Sequence, residues 1–493
     1  MPVASPNQLF ATLIATLIAT SVARAAGGRS RTPAGPRRNM EGVSDQKLEQ
    51  EVAAIYRQLL DRAPEDHVVP TRSRVEAAVD LLGQPQRTYK VIHVAGTNGK
   101  TSTARIAESL IRAHGLRTGR FTSPHLRSFT ERIAIDGQSI EPAALIDAWS
   151  QVAPVVDLVD QRSAADGEPP MNFFEVLTVL AFVAFADAPV DVAIVEVGLG
   201  GTWDATNVVD STVQIITPIS RDHEDLLGSS LESIAGEKAG IISSRVVIGH
   251  QPPAVAEVLR EAVTKASATA HWLGQDFAVV SRDLAVGGQL VGLRGLAGRY
   301  EEVFLPLFGQ HQADNAALAV VAVELLMSDA VEPLPASVYV EGVETVTSPG
   351  RLEVVANSPT VLVDAAHNVG GMQALVEALD EAFPVGLIGL VGVLKGKDAE
   401  GLLGVLEPVL RRVVVTRSTS PRAIDPEELA EVAREVFGPD RVEVVQRLDD
   451  GLVRAMDLAV GDSPDMPGAL ASAVIATGSV TIAGEVRTLL HRP

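Results

Sequence analysis

The sequence predicts an α/β protein: a mainly parallel sheet in a large domain, followed by a second, smaller α/β domain. Three observations predict it. Short runs of Val and Ile recur between glycine-rich or polar turns, as in strands buried on both faces. Helical stretches alternate with these runs, which is the order of a parallel sheet covered on both sides. The alternation stops at a polar break around Glu341–Ser348 and then restarts.

In order along the chain, residues 43–60 have the spacing of an amphipathic helix. Tyr89–Val94 (YKVIHV) reads as a strand, and Thr101–His114 as the helix after it. Asn172–Ala186 is an apolar helix, and Val190–Val197 and Thr212–Ile219 are buried strands, with another at Val246–Gly249. Beyond the break, strands are expected at Thr360–Val363, Gly386–Val391, Val413–Thr416 and Ala473–Ala476. Helices are expected at Met372–Phe383, Asp425–Phe437 and Gly484–Leu490. The expected division is an extension over residues 1–40, a larger domain over 41–345 and a smaller one over 346–493.

Residues 1–40 hold five arginines and no acid, and Leu9–Ala19 is apolar and Thr-rich. A secretory leader carries positive charge ahead of its apolar stretch, and nothing basic precedes Arg24. The segment is read as a disordered extension, or as upstream sequence read from an early start with Met40 as the natural beginning, in preference to an export signal. No stretch approaches the ~18 apolar residues of a membrane span.

The net charge of −21 repels phosphate backbones and argues against a general nucleic-acid binder. Cysteine is absent, which excludes disulfides, zinc–thiolate and iron–sulfur sites, and thiol nucleophiles. A cytoplasmic, monomeric protein is expected.

Chemistry enters at Gly96-Thr97-Asn98-Gly99-Lys100-Thr101-Ser102, between a buried strand and a helix. Glycines let backbone N–H groups approach phosphate oxygens, the helix start adds partial positive charge, and Lys100 adds a full one. The common phosphate loop has glycine where this chain has Val94, so this is a compact variant. Gly198-Leu199-Gly200-Gly201 is not a dinucleotide fingerprint, because Trp203 stands where its third glycine belongs.

GTNGKTS resembles the ATP loop of the Mur ligase superfamily of ATP-dependent amide ligases, and within it the folylpolyglutamate and dihydrofolate synthases. The resemblance continues through Ser123-Pro124-His125-Leu126, Glu131-Arg132, Phe174-Glu175, Glu196–Gly201, Asp204-Ala205-Thr206-Asn207, Asp222-His223 with Leu227-Gly228, Glu237–Ile241, Gly350-Arg351 and Asp364–Asn368. It implies a Mur-ligase-like P-loop ATPase domain with a Rossmann-like C-terminal α/β domain. The activity it implies is addition of L-glutamate to folates, and to dihydropteroate, through an acyl phosphate. A Mur-type ligase acting on a cell-wall precursor is the alternative, and the SPHL and DATN segments argue against it. A nucleotide-regulated binding protein without catalysis is a further alternative, against which the intact Lys100, Glu196, His223 and Lys238 argue.

The resemblance places ATP on Thr97, Asn98, Gly99, Lys100, Thr101, Asn315, Arg351 and Asp364, and Mg²⁺ (one or two ions) on Ser123, Glu196 and His223, with K⁺ a further candidate cation. A carboxylate and a hydroxyl suit Mg²⁺; histidine is the less expected ligand. Lys100, Lys238 and His223 are the implied catalytic residues, Lys238 as a carbamylated lysine. His367 and Asn368 are implied near nucleotide or glutamate. The pterin end is assigned to Asn172, Phe173, Phe174, Glu175, Trp203, Asp204 and Ala205. Pro70–Arg74 departs from the family form, and Thr202 stands where many relatives have arginine, which bears on the preferred pterin. Ser418, Thr419 and Ser420 are glutamate-site candidates.

Overall fold

The computed structural model describes residues 45–64, 69–461 and 472–490. The expected extension over residues 1–40 lies outside them. The chain forms two compact units: one of residues up to Lys90 with Ile140–Asp191 and Trp203–Asp210, the other of Val91–Ser139, Val192–Thr202 and everything from Ser211 onward.

The first unit is helical. Its helices are Asp45–Leu60, Ser73–Leu81, Pro142–Ala165 and Phe173–Asp187. Phe173–Asp187 is buried almost throughout, so it carries no polar face. Its start is fixed by a capping box: the Glu175 amide donates to Asn172 Oδ1 at 2.9 Å, and the Asn172 amide donates to Glu175 Oε2 at 2.8 Å. Pro142–Ala165 is not legible as a helix in the sequence, because Pro154 interrupts its pattern.

Among the described residues, the second unit contains three sheets. The first has eight strands: β1 (Lys90–Ala95), β2 (Thr118–Phe121), β3 (Ile133–Ile135), β4 (Gln138–Ser139), β5 (Val192–Glu196), β6 (Val213–Ile216), β7 (Arg245–Ile248) and β8 (Thr269–Trp272). Their order is β4-β3-β2-β5-β1-β6-β7-β8. The pairs β2/β5, β1/β6, β6/β7 and β7/β8 are parallel, while β3 and β4 add an antiparallel edge. Next comes an antiparallel meander of β9 (Ala278–Ala285), β10 (Gly288–Arg294) and β11 (Arg299–Leu305). The sequence reading did not anticipate it. Its strands mix buried, half-buried and exposed residues, with none of β9 fully buried, and lack the long apolar runs that mark the parallel strands. Its core continues into the Ala-rich helix Gln310–Ser328, whose near-total burial erases any helical period.

The third sheet orders β12 (Glu353–Asn357), β13 (Thr360–Val363), β14 (Leu387–Val391), β15 (Leu410–Val415), β16 (Val442–Val444) and β17 (Ala473–Thr477) as β12-β13-β17-β14-β15-β16. Only β12 pairs antiparallel. Helices Val369–Ala382, Ala399–Leu406 and Pro426–Phe437 share one core, and Leu448–Gly461 and Val480–Leu489 another. Two helices begin before their apolar pattern does, because caps start them. Asn368 accepts from the Gly371 amide and Ser479 from the Ile482 amide. β15 begins at Leu410 rather than Val413; Arg412 in its first half pairs with Glu443 of the neighbouring strand.

Among the described residues, no helix is long and apolar enough to cross a membrane.

Candidate active site

Adjacent strands β2, β5, β1 and β6 deliver their C-terminal ends to one edge of the first sheet, where α/β folds hold their ligands. Ser123 follows β2, Glu196 ends β5, Gly96 follows β1, and the turn carrying Asp222 and His223 follows β6.

Gly96 sits at φ 139°, and a Cβ there would fall 2.0 Å from Thr217 Oγ1. No other residue fits. The Thr97 and Asn98 amides both donate to Pro218 O, at 3.0 and 3.2 Å. These two amides therefore brace the loop against the next strand rather than turn inward. The amides left for an anion are those opening the helix Lys100–Ala113, which have no intrahelical acceptor. Gly99, at φ 90°, is backed by Asn315, whose Oδ1 would lie 2.5 Å from a Cβ there. Asn315 is held in turn by Gln312.

Lys100 Nζ donates to Thr97 O at 3.0 Å. Burial pushes its pKa down; Glu196 and Asp222 oppose this, while Arg351 and Lys397 reinforce it. Glu196 is 1% exposed. Burial raises its pKa, and Lys100, the Thr101 hydroxyl, Arg351 and the Ser123 backbone pull it back. The Thr101 hydroxyl is 2.9 and 3.1 Å from the two carboxylate oxygens. Arg351 thus belongs to the same set of charges. Asp364 serves that turn: it accepts from the Leu352 amide at 2.8 Å and the Ala366 amide at 2.7 Å. Burial raises its pKa, and Arg351 opposes this.

His223 has a left-handed backbone, φ 54°. Its side chain is 42% exposed; partial desolvation, with Lys397, His367 and Lys238 nearby, lowers its pKa to about 4 against the pull of Asp222, which favours the neutral imidazole. Burial works the other way at Asp222, but the His367 hydrogen bond and the Lys397 charge hold its carboxyl below the ordinary carboxylate range. Lys238, 6% exposed, donates to Gly96 O at 2.9 Å. His367 Nδ1 lies 2.9 Å from Ala365 O, and its Nε2 lies 3.5 Å from Asp222. Lys397, which the sequence reading did not single out, bonds Asp222. Its only signal was a glycine-flanked lysine just past a strand.

Ser418 and Thr419 are engaged with the helix Val480–Leu489. Thr481 Oγ1 donates to Ser418 Oγ at 3.0 Å, and the Thr419 amide and hydroxyl donate to Glu485 at 2.9 and 2.7 Å.

Within the helical unit, the pterin candidates come together. Arg72 donates to Asn207 O at 2.7 Å, tying Pro70–Arg74 to the segment that holds Trp203, Asp204 and Ala205. Arg74 grips Glu175 with two bonds of 3.2 and 2.7 Å. Glu175 is therefore already occupied by a cap and an ion pair, and Asp204 Oδ1 accepts the Thr206 amide at 2.9 Å. Phe174 is buried, and Phe173 meets Tyr56 edge-on at 6.4 Å. Arg74 and Glu175 are both almost fully buried. Removing one partner strands the other's charge, so Glu175→Ala is expected to cost about 3–5 kcal/mol in urea unfolding. The paired change Arg74→Met with Glu175→Leu should cost less than the single one. Equal costs would show that the charges are not what holds this site.

Two family models match the chain: the Mur ligase middle domain over residues 94–323 and the Mur ligase glutamate ligase domain over 350–479. Fold and site thus define a Mur-type ligase. The chain is 48% identical, over 90% of its length and 95% of the relative's, to the dihydrofolate synthase/folylpolyglutamate synthase of Mycobacterium tuberculosis. A crystal structure of the M. tuberculosis folylpolyglutamate synthase complexed with ADP and AMPPCP superposes with a TM-score of 0.85 at 47% identity, covering 90% of this chain and 99% of that one. The Escherichia coli protein in complex with DHPP and ADP gives a TM-score of 0.74 at 27% identity, covering 89% and 97%. The chain belongs to the dihydrofolate synthase/folylpolyglutamate synthase family of Mur ligases.

Proposed function

We infer that the chain is an ATP-dependent ligase that adds L-glutamate to folates, and that it also accepts dihydropteroate. The observation that carries this reading is the convergence of Lys100, Thr101, Ser123 and Glu196 at the edge of four adjacent strands. The family match supplies the reaction class.

A carboxylate oxygen is a poor leaving group, so the acid is first activated. Its oxygen attacks the γ-phosphorus, the bond to ADP breaks, and an acyl phosphate forms. The glutamate amine then attacks the acyl carbon, loses a proton, and phosphate leaves. Phosphoryl transfer of this kind depends on positioning and charge neutralisation. The helix-start amides and Lys100 hold the phosphates, Asn315 fixes the loop behind Gly99, and Arg351 adds a cation from the third sheet's turn. We assign residues 41–345 to nucleotide and folate, and 346–493 to glutamate, with Ser418, Thr419 and Ser420 as glutamate-site candidates and His367 and Asn368 near nucleotide or glutamate. The pterin is assigned to the Asn172–Glu175 and Trp203–Ala205 segments.

The donor set fits Mg²⁺. Among the described residues no group of three His, Asp or Glu side chains gathers to hold a metal alone. A single buried carboxylate with hydroxyls suits an ion that keeps waters and shares substrate phosphates. Glu196, Ser123 and the neutral His223 would hold it, and when bound it would neutralise charge on the β- and γ-phosphate oxygens. K⁺ is a further candidate cation. The enzyme is taken to be a cytoplasmic monomer whose partners are ATP, glutamate and the pteridine acid.

Incubation with glutamate and Mg-ATP, with either tetrahydrofolate or dihydropteroate, is expected to yield a glutamylated product, ADP and phosphate. Product from tetrahydrofolate alone would remove the dihydropteroate activity. Product from neither, with turnover on a UDP-muramyl substrate, would overturn the reading.

A further inference from the structure

Asp222 receives groups from both sides of the site. Lys397 Nζ bonds its Oδ1, and the His223 amide donates to the same oxygen at 2.9 Å. Asn368 Nδ2 donates to Oδ2 at 3.0 Å. Lys397 belongs to the loop after β14, and Asn368 caps the helix after β13. Asn368 Nδ2 also donates to Asn98 Oδ1 of the phosphate loop at 3.1 Å, and Asn98 Nδ2 to Ser220 Oγ at 3.0 Å. Ser220, Asn98, Asn368, Asp222 and Lys397 thus form one continuous polar chain running from the phosphate loop into the third sheet's loops.

The chain is tightly enclosed. A Cβ on Gly371 would stand 3.2 Å from both Asn98 Oδ1 and Asn368 Oδ1, and one on Gly370 2.9 Å from Ser220 Oγ. The Asp222 and Lys397 side chains are 9% and 12% exposed. An ion pair taken so far out of water gives little net stability compared with apolar residues of the same size. Its contribution lies in fixing geometry. Without Asp222, Lys397 would keep a largely buried charge, and of the two acceptors of Asn368 Nδ2 only Asn98 Oδ1 would remain.

We propose that Asp222 is a positioning residue: its carboxylate sets Lys397 and Asn368, and with them the loops after β13 and β14, in register with the phosphate loop. The proposal rests on the ligase reading for its kinetic arm only.

The test uses the full chain with Asp222→Asn, Lys397→Met and the double variant. In hydrogen–deuterium exchange, each single variant should speed exchange in both segments 366–372 and 394–398, and the double variant no more than either. In steady-state assays kcat should fall about 10–100-fold, the scale of a small misplacement, with KM for ATP within about twofold. The double variant should be no slower than the slower single one, since the two residues act as one unit. Lys397→Arg should restore part of kcat. Additive losses overturn the proposal, and so does unchanged exchange in the segment remote from the substitution. If Asp222→Asn fails to fold, Lys397→Met with exchange at 366–372 decides alone. If the unmodified protein makes no glutamylated folate, the ligase reading falls while the exchange arm still decides the positioning role.

Discussion

Replacing Lys100 with alanine is expected to cut turnover roughly 10³-fold or more while the fold survives, the upper range for loss of one preorganised charge at a reacting phosphate. The ammonium is the full positive charge of the phosphate loop, and burial leaves it costly to hold unless an anion is present. It hydrogen-bonds to a carbonyl three residues back, so truncation removes little packing. The melting temperature without ligand should therefore stay close to that of the unmodified chain, while ATP-dependent stabilisation disappears. That thermal shift separates the assignment from a general folding defect. Turnover near the unmodified level would sink the phosphate-loop assignment, whatever the melting curves show.

Much of the fold was legible because parallel strands advertise themselves. β5, β13, β14 and β17 are Val-, Ile- and Leu-rich runs, and the cores of β1 and β6 are each interrupted by one buried polar residue, His93 and Gln214, since both faces are covered. The meander β9–β11 lacked such runs, because its strands are only partly buried and carry charges such as Arg282, which pairs with Glu381 of the helix Val369–Ala382. The wholly buried helix Gln310–Ser328 lacked a period for the opposite reason.

The site divided in the same way. Loop chemistry was visible where one short segment carries it, as in residues 96–102. Its finer roles were not, because they depend on partners distant in sequence. Nothing near Thr97 or Asn98 signals that Pro218 takes their amides. Glu175 looked like a pterin contact, yet its oxygens are engaged by Arg74, about a hundred positions away, and by its own cap. Asp222 was conspicuous only as the neighbour of His223. Its bond to Lys397, 175 positions on, is a product of topology alone.

The second large effect is expected at Lys238. Its ammonium donates to the carbonyl of Gly96, the residue that opens the phosphate loop. The helix Leu231–Ala239 that carries it is clamped nearby: the Thr202 amide donates to Glu237 O at 3.0 Å, and a Cβ on Gly201 would lie 2.5 Å from that oxygen. Two roles follow from this placement. As a plain ammonium, Lys238 braces the loop by one hydrogen bond. As a carbamate, formed when the neutral amine adds carbon dioxide and sheds a proton, it presents a carboxylate close to the phosphates. Under either role Lys238→Ala should lower kcat by about 10²–10³-fold. The two roles part in rescue. A carbamate leaves a void that acetate or formate can enter, so added carboxylate should restore part of the activity, and Lys238→Arg, which cannot form the carbamate, should remain inactive. A bracing ammonium predicts the reverse, with arginine restoring turnover and carboxylates doing nothing. Activity in Lys238→Ala equal to the unmodified chain, with no additive, would remove Lys238 from the reaction.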